Sequence, residues 1–299
     1  MLETFANLYA IVRSLFHLNT PVAGGAFAVM GRMARWQIAA RIWRQPLIMD
    51  FVSGTRLVGS TGVTSVTAEY YHGLAEFDHA GFMLHALRPA ERLADVGANV
   101  GVFTIIGAGV CKAEVIACEP SSAALRGLAD NIAINGVGGL VEVRRVAVGD
   151  EPGTLYAQSG GSAVNEMQDR AAPGYESVPV KRLDDIAAGR SIDFLKIDVV
   201  GFEYHVLRGA QHVLADPALK AVIVGCLRRS ANFGASPQAT LEQITSHGFF
   251  PVHYDPATRK LERLEAIDYD HKLLFIRDFE AMSQRVRSAL PFAVLGRPY

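Results

Sequence analysis

The chain has 299 residues, half of them hydrophobic and 20% charged, with 29 Lys+Arg against 30 Asp+Glu for a formal net charge of −1. Disorder requires low hydrophobicity and high net charge, so composition excludes it for the bulk of the chain, and the near-neutral balance offers no electrostatic footprint for nucleic acid. Cys111, Cys118 and Cys226 form no C-x-x-C pair, which argues against a disulfide framework or a cysteine zinc site and fits a reducing cytoplasm.

Residues 1–49 hold Arg13, Arg32, Arg35, Arg41 and Arg44 but a single acid, Glu3, a local net of +4 against −5 for the remainder. Glu3 and Arg13 speak against a secretory signal, and no stretch reaches the ~20 apolar residues that span a bilayer. Met33, Trp36, Ile38, Ala40 and Ile42 interleave with the arginines at helical spacing. Two readings stay open: a helix packed on the main domain with solvated arginines, or an amphipathic helix lying on the inner face of an anionic membrane. The expected organisation is a helical extension over 1–50, an entry segment over 51–91, a core over 92–280 and a tail over 281–299.

From residue 92 onward short apolar runs alternate with helical segments, the pattern of a parallel sheet covered on both faces. Strands are expected over 91–97, 114–120 and 141–148, with helices over 101–110 and 121–134, the latter placing Ala124, Leu125, Leu128 and Ile132 on one face. Further strands are expected over 153–158 and 178–183, separated by a Gly- and Ser-rich surface loop over 159–177. Next come a core strand over 193–199, a helix over 203–214 and a strand over 221–227. Ser236-Pro237 opens a helix to about His247, and 249–255 with 272–278 close the sheet as an antiparallel end.

The strongest chemical signal is Asp95-Val-Gly97-Ala98-Asn99-Val-Gly101 where the first core strand ends. Glycines there let the backbone turn sharply and approach a ligand at a helix N-terminus. Asp95 puts a carboxylate at the strand's C-terminal edge, where open α/β sheets bind their ligands. Glu119 ends the second strand, 22 residues after Gly97, the position from which an acid holds both hydroxyls of a ribose. A dinucleotide site prefers G-x-G-x-x-G, whereas here the next glycine after Gly101 is Gly107, which weakens a nicotinamide-dependent dehydrogenase reading. The D-x-G-x-x-x-G form with a following acid suits S-adenosylmethionine, which carries a ribose and an amino acid end but no phosphate.

DVGANVGVFT, ACEPSSAALRGLADNIAINGV, VRRVAVGDEPGTLY, RLDD and LKIDVVGFEYHVLRGA, in that order over about 92–227, resemble the FkbM-type methyltransferases, a branch of the class I S-adenosylmethionine-dependent enzymes. The resemblance implies an α/β, Rossmann-like fold with a mostly parallel seven-stranded sheet, S-adenosylmethionine as donor, and O-methylation of a sugar, glycoconjugate or secondary metabolite. It places the cofactor against Asp95, Gly97, Ala98, Asn99, Gly101, Glu119 and Asp198, with Ala147 of the Arg145-Val146-Ala147 segment beside the adenine. Lys196 and Asp198 of LKIDV would stand at the methyl-transfer centre, Glu203 one helical turn further on, and the three are the candidate catalytic residues. Tyr71, His72 and Glu76 are the candidate acceptor contacts, within a 66–82 segment expected to meet the acceptor together with the 159–177 loop. His72, Glu76, Asp78 and His79 are metal-ligand types, but nothing in their spacing singles out a metal site.

Two positions depart from the family. Members usually read K-I-D-V-E-G, whereas Val200 stands here in place of the glutamate, and Gly225 stands where the fifth strand commonly ends in a glutamate. A hydroxyl nucleophile needs a base to take its proton. The alternative to an active O-methyltransferase is therefore a cofactor-binding homologue with impaired catalysis.

Overall fold

The computed structural model describes residues 24–42, 46–59, 64–158, 167–168, 170–225 and 227–299. Residues 1–23 and Arg44 of the expected extension, residues 159–166 and 169 of the expected loop, and Cys226 lie outside the described residues.

Helix α1 (Ala26–Ile42) packs across α2 (Thr64–His72), and a hairpin of β1 (Leu47–Asp50) and β2 (Arg56–Gly59) lies between them in sequence. α3 (Phe77–Ala86) then leads into the core. There β3 (Arg92–Val96) turns into α4 (Val102–Ile105), whose last turn widens into a π-helical turn over Ile106–Val110. β4 (Glu114–Cys118) is followed by α5 (Ser122–Asn135), which starts where the Ser121 hydroxyl accepts from Ala124 N–H and stops at left-handed Gly136.

The expected strand over 141–148 breaks in two. β5 (Val141–Arg144) pairs with β4, and after Arg145, which pairs with Glu176, β6 (Ala147–Val148) leaves for a second sheet. That sheet has the order β6-β9-β7-β8, with β7 (Gly153–Gln158), β8 (Met167–Gln168) and β9 (Tyr175–Lys181). α6 (Leu183–Ala187) returns the chain to β10 (Phe194–Ile197). The expected helix over 203–214 is split into α7 (Glu203–Arg208) and α8 (Gln211–Ala215). At Gly209 between them a Cβ would overlap the Gly149 carbonyl, so the backbones meet there. The Asp184 carboxylate of the RLDD segment caps α8 through the N–H groups of His212 and Val213.

β11 (Ala221–Val224), a 3-10 turn over Leu227–Phe233, α9 (Pro237–Thr245) and β12 (Phe250–Asp255) follow. Asp255 accepts from Ala257 N–H and Thr258 O–H, folding the chain back into β13 (Lys260–Arg263) before β14 (Leu273–Ile276). This extra edge strand makes the main sheet eight-stranded, one more than expected, in the order β13-β12-β14-β11-β10-β3-β4-β5. The five strands from β11 to β5 are parallel, and β14 is antiparallel to both of its neighbours. α10 (Phe279–Arg287) packs on α3, and the hairpin of β15 (Ala293–Val294) and β16 (Arg297–Pro298) bridges to Val52.

Side chains alternate between two cores. Leu93, Phe194, Ile223 and Leu274 face one side with Phe82 and Ile105, whereas Ala94, Leu195, Val222 and Phe275 face the other with Leu207 and Leu241. The chain crosses from β3 toward β4 on one side and from β5, through the second sheet, to β10 on the other. The C-terminal ends of β3 and β10 therefore flank a topological switch point, where ligands of open α/β sheets bind.

Candidate active site

A cavity of about 320 Å³ opens over the C-terminal ends of β3, β4 and β10, within the size range of small-molecule sites. Its floor is the bend after β3. Gly97 has φ +76°, and a Cβ there would overlap the Asp198 carbonyl oxygen, so only glycine lets the two strand ends approach this closely. Ala98 and left-handed Asn99 (φ +52°) continue the bend along the cavity wall. Glu119 reaches the same bend from β4. Its two carboxylate oxygens accept from Asn99 N–H at 2.8 Å and Ser121 N–H at 2.9 Å, while burial raises its pKa against those hydrogen bonds. Val146 and Ala147 form the wall beyond Glu119.

Strand alternation sorts the two charged strand residues. Asp95 and Lys196 are register partners on neighbouring strands, so both project to the same face of the sheet, where Lys196 Nζ lies 3.0 Å from Asp95 Oδ1 and donates to the Gly97 carbonyl at 2.6 Å. Thr104 O–H donates to the other Asp95 oxygen at 2.7 Å. Asp95 is thereby buried beneath α4 and is not among the residues that line the cavity, whereas Lys196 is.

Asp198 lies just past β10 and lines the cavity. Burial opposes its ionisation, but Lys272 and Lys196 overcome that and hold the carboxyl at about 2. Lys272 Nζ donates to Asp198 Oδ2 at 2.9 Å and to both Glu76 oxygens, at 2.8 and 2.6 Å. Burial works against the ammonium, yet the two carboxylates raise its pKa above the ordinary lysine range. One lysine from the residue before β14 therefore ties the start of α3 to the end of β10. The Phe103 ring lies under both ammonium groups, 5.7 Å from Lys196 and 5.5 Å from Lys272.

Across from this cluster Glu69 projects from α2 into the cavity. It is buried, its Oε2 accepts from Ala75 N–H at 2.9 Å, and burial pushes its carboxyl up to about 8 against that hydrogen bond. Arg229, exposed on the 3-10 turn, stands at the rim.

Of the residues singled out from sequence, the structure brings Gly97, Ala98, Asn99, Glu119, Ala147, Lys196, Asp198 and Glu76 around one cavity. Asp95, Gly101, Glu203, Tyr71 and His72 are not among its lining. Gly101 (φ +91°) makes the left-handed entry to α4, and a Cβ there would overlap Leu128. Glu203 begins α7, buried behind Asp198; burial raises its pKa against the N–H groups of Gly201 and Glu203, and the Asp198 charge adds to the rise. Tyr71 lies two positions beyond Glu69 on α2, nearly half a turn away, and meets Gln37 of α1 instead; His72 is buried beside the Arg32 charge. Gly225 faces the same carboxyl groups. A Cβ there would stand 3.1 Å from Asp198 Oδ1 and 3.2 Å from Glu203 Oε1, a tight fit that the two side chains would have to ease by a few tenths of an ångström. Val200 lines the cavity with φ +55°, a strained conformation for a β-branched residue. Lys272 and Arg229 escape the sequence reading, as neither carries a motif of its own, whereas Glu69 falls in the expected 66–82 acceptor segment and Phe103 in DVGANVGVFT, without a feature that singles either out.

The profile of the FkbM methyltransferase domain matches residues 95–251, more than half of the chain. The chain belongs to the FkbM methyltransferase family. As an FkbM protein it is an S-adenosylmethionine-dependent methyltransferase, and the glycine bend and the Glu119 carboxylate fit the nucleoside the family uses. No curated protein sequence matches the chain. Among solved structures, an rRNA methylase from Streptococcus thermophilus is similar at TM-score 0.39 and 14% identity, covering 66% of this chain and 91% of that one. Aeropyrum pernix fibrillarin with natively bound S-adenosyl-L-methionine gives TM-score 0.38 and 12% identity over 66% and 73%. The C-terminal domain of precorrin-6Y C5,15-methyltransferase from Rhodobacter capsulatus gives 0.37 and 12% over 66% and 84%.

Proposed function

We propose that this FkbM protein methylates a hydroxyl group of a sugar, glycoconjugate or secondary metabolite, with S-adenosylmethionine seated between the Gly97 bend and Glu119. The observation that carries the reading is the junction of a glycine that tolerates no Cβ with a buried carboxylate held by the Asn99 and Ser121 N–H groups. A carboxylate is an acceptor-only group, the type a ribose hydroxyl donates to. When bound, S-adenosylmethionine supplies a methyl carbon made electrophilic by its sulfonium.

The protein's part is to hold the acceptor oxygen in line and to take its proton. Positioning alone contributes on the order of 7–11 kcal/mol in the best intramolecular models, and a base a further 10²–10⁴-fold at roughly matched pKa. Glu69 is the base this reading assigns. It lines the same cavity, and with its carboxyl near 8 it is a stronger proton acceptor than an ordinary glutamate. Asp198, held ionised by two lysines, is the electrostatic partner of the sulfonium rather than the proton acceptor. Glu76 and Arg229, both lining the cavity, face the acceptor in this reading.

A second reading, cofactor binding with impaired turnover, is favoured by Val200, which lines the cavity where family members carry a glutamate. Calorimetric titration with S-adenosylhomocysteine tests the shared part: saturable binding that Glu119→Ala weakens at least tenfold supports it, and absence of binding by the folded protein overturns it. Transfer of labelled methyl to glycans extracted from the host by the unmodified protein eliminates the second reading; turnover gained only on Val200→Glu favours it.

A further inference from the structure

α1 is apolar on two sides. Val29, Trp36 and Ala39 are buried, and the Trp36 ring lies 5.2 Å from Tyr70 of α2. The Arg32 guanidinium donates twice to the Tyr71 carbonyl, at 2.8 and 2.6 Å, completing the attachment. The opposite side carries Phe27, Met30, Ala34 and Ile38 at three- and four-residue steps, one helical stripe. Phe27 is 90% exposed, Met30 54% and Ile38 57%, and they are three of the seven large apolar side chains exposed among the described residues. The core has already taken the other face, so packing within the described residues leaves this stripe bare.

Charge identifies what suits it. Residues 4–49 contain five arginines and no Asp or Glu, while the chain beyond residue 49 carries a net −5. Arg35 is exposed beside the stripe. An apolar ridge beside the Arg35 guanidinium, in an arginine-containing segment without a carboxylate over 4–49, complements a surface that is apolar beneath and anionic above. The acidic remainder is repelled from such a surface and directs α1 toward it. From Phe27 to Ile38 the stripe runs roughly 17 Å at the helical rise, and no helix among the described residues is long and apolar enough to cross a membrane. The helix therefore suits lying in the interface.

We propose that the exposed face of α1 docks the protein on an anionic lipid bilayer, Phe27, Met30 and Ile38 entering the acyl boundary and Arg35 meeting the headgroups. The proposal is independent of what the cavity binds.

Co-sedimentation of the full chain with lipid vesicles tests it. Vesicles of phosphatidylcholine containing about one-third phosphatidylglycerol should retain the protein, pure phosphatidylcholine should not, and raising the salt to about 0.5 M should release it. Phe27→Glu with Ile38→Glu should lower partitioning at least tenfold, and Arg35→Gln about fivefold. Thermal unfolding of the double variant should match that of the unmodified protein, since both side chains are exposed, and its affinity for S-adenosylhomocysteine should match whatever the unmodified protein shows. Equal retention by both vesicle types, or retention by neither, overturns the proposal. So does a fall in unfolding temperature of the double variant, which would mean that the chain itself covers the stripe. A dimer in light scattering that the double variant abolishes would assign the face to a second copy instead.

Discussion

At Glu69 two physical demands collide: a carboxylate wants water, and α2 buries it against the entry segment with one N–H donor. Burial wins, and the carboxyl rises to about 8, so it is mostly protonated at neutral pH. Carbon-13 carboxyl NMR should show one glutamate titrating near pH 8 that Glu69→Gln removes, and methyl transfer by the unmodified protein should rise through the same range. An ordinary titration near 4 would defeat the base assignment. Val200 shows a different local conflict, since a β-branched residue with φ +55° is held in a conformation that asparagine adopts more readily. Val200→Asn should stabilise the fold by about 1 kcal/mol in urea unfolding, the approximate cost of left-handed backbone for an ordinary side chain.

At the scale of elements, the Lys272 ammonium joins the start of α3, the end of β10 and the residue before β14. Lys272→Met would leave Glu76 without its ammonium partner and Asp198 with Lys196 as its remaining nearby ammonium. Both carboxylates are 38% exposed, so solvent tempers the loss, and about 1–2 kcal/mol of stability at pH 7 is expected. Asp198 is depressed in the folded protein, so its contribution is present above its ordinary pKa of 3.8 and is lost as pH falls through about 2. Urea titrations of the variant should therefore converge on those of the unmodified protein as the buffer is acidified toward that range. The glycine bend and the strand rhythm were legible in the sequence, because a strand that ends in D-x-G-x-N-x-G is a local pattern. Even the burial of Asp95 was legible in principle: Leu93 and Asp95 share a strand face, as Phe194 and Lys196 do, and period two sends both charges under α4. Lys272 was not, because its partners lie far away in sequence: Glu76 is 196 positions before it and Asp198 is 74. No local periodicity encodes such a pairing. The split at Gly209 was equally hidden, since it is imposed by the Gly149 backbone.

Over the whole molecule, the C-terminal segment closes on the N-terminal half. His85 of α3 is buried with Nδ1 2.7 Å from the Tyr254 hydroxyl and Nε2 3.4 Å from the Tyr299 carbonyl. Burial pushes its pKa down to about 4, and the neighbouring Arg259 charge adds to the fall. The folded form thus stays neutral where the unfolded chain binds a proton, so stability is full above about 6.5 and declines as pH falls toward 4. Denaturant titrations between those limits should show this slope, and His85→Phe should flatten it while lowering stability at neutral pH by stranding the Tyr254 hydroxyl. An unchanged slope would place the acid sensitivity elsewhere. The span between Glu76 and Lys272 also bears on biosynthesis. At roughly 5–20 residues per second a ribosome needs on the order of 10–40 s to travel from one codon to the other. Over the last 74 codons of that interval the nascent polypeptide carries both the Glu76 and Asp198 carboxylates without the ammonium that reconciles them, and the crevice cannot assume its finished shape before Lys272 is added.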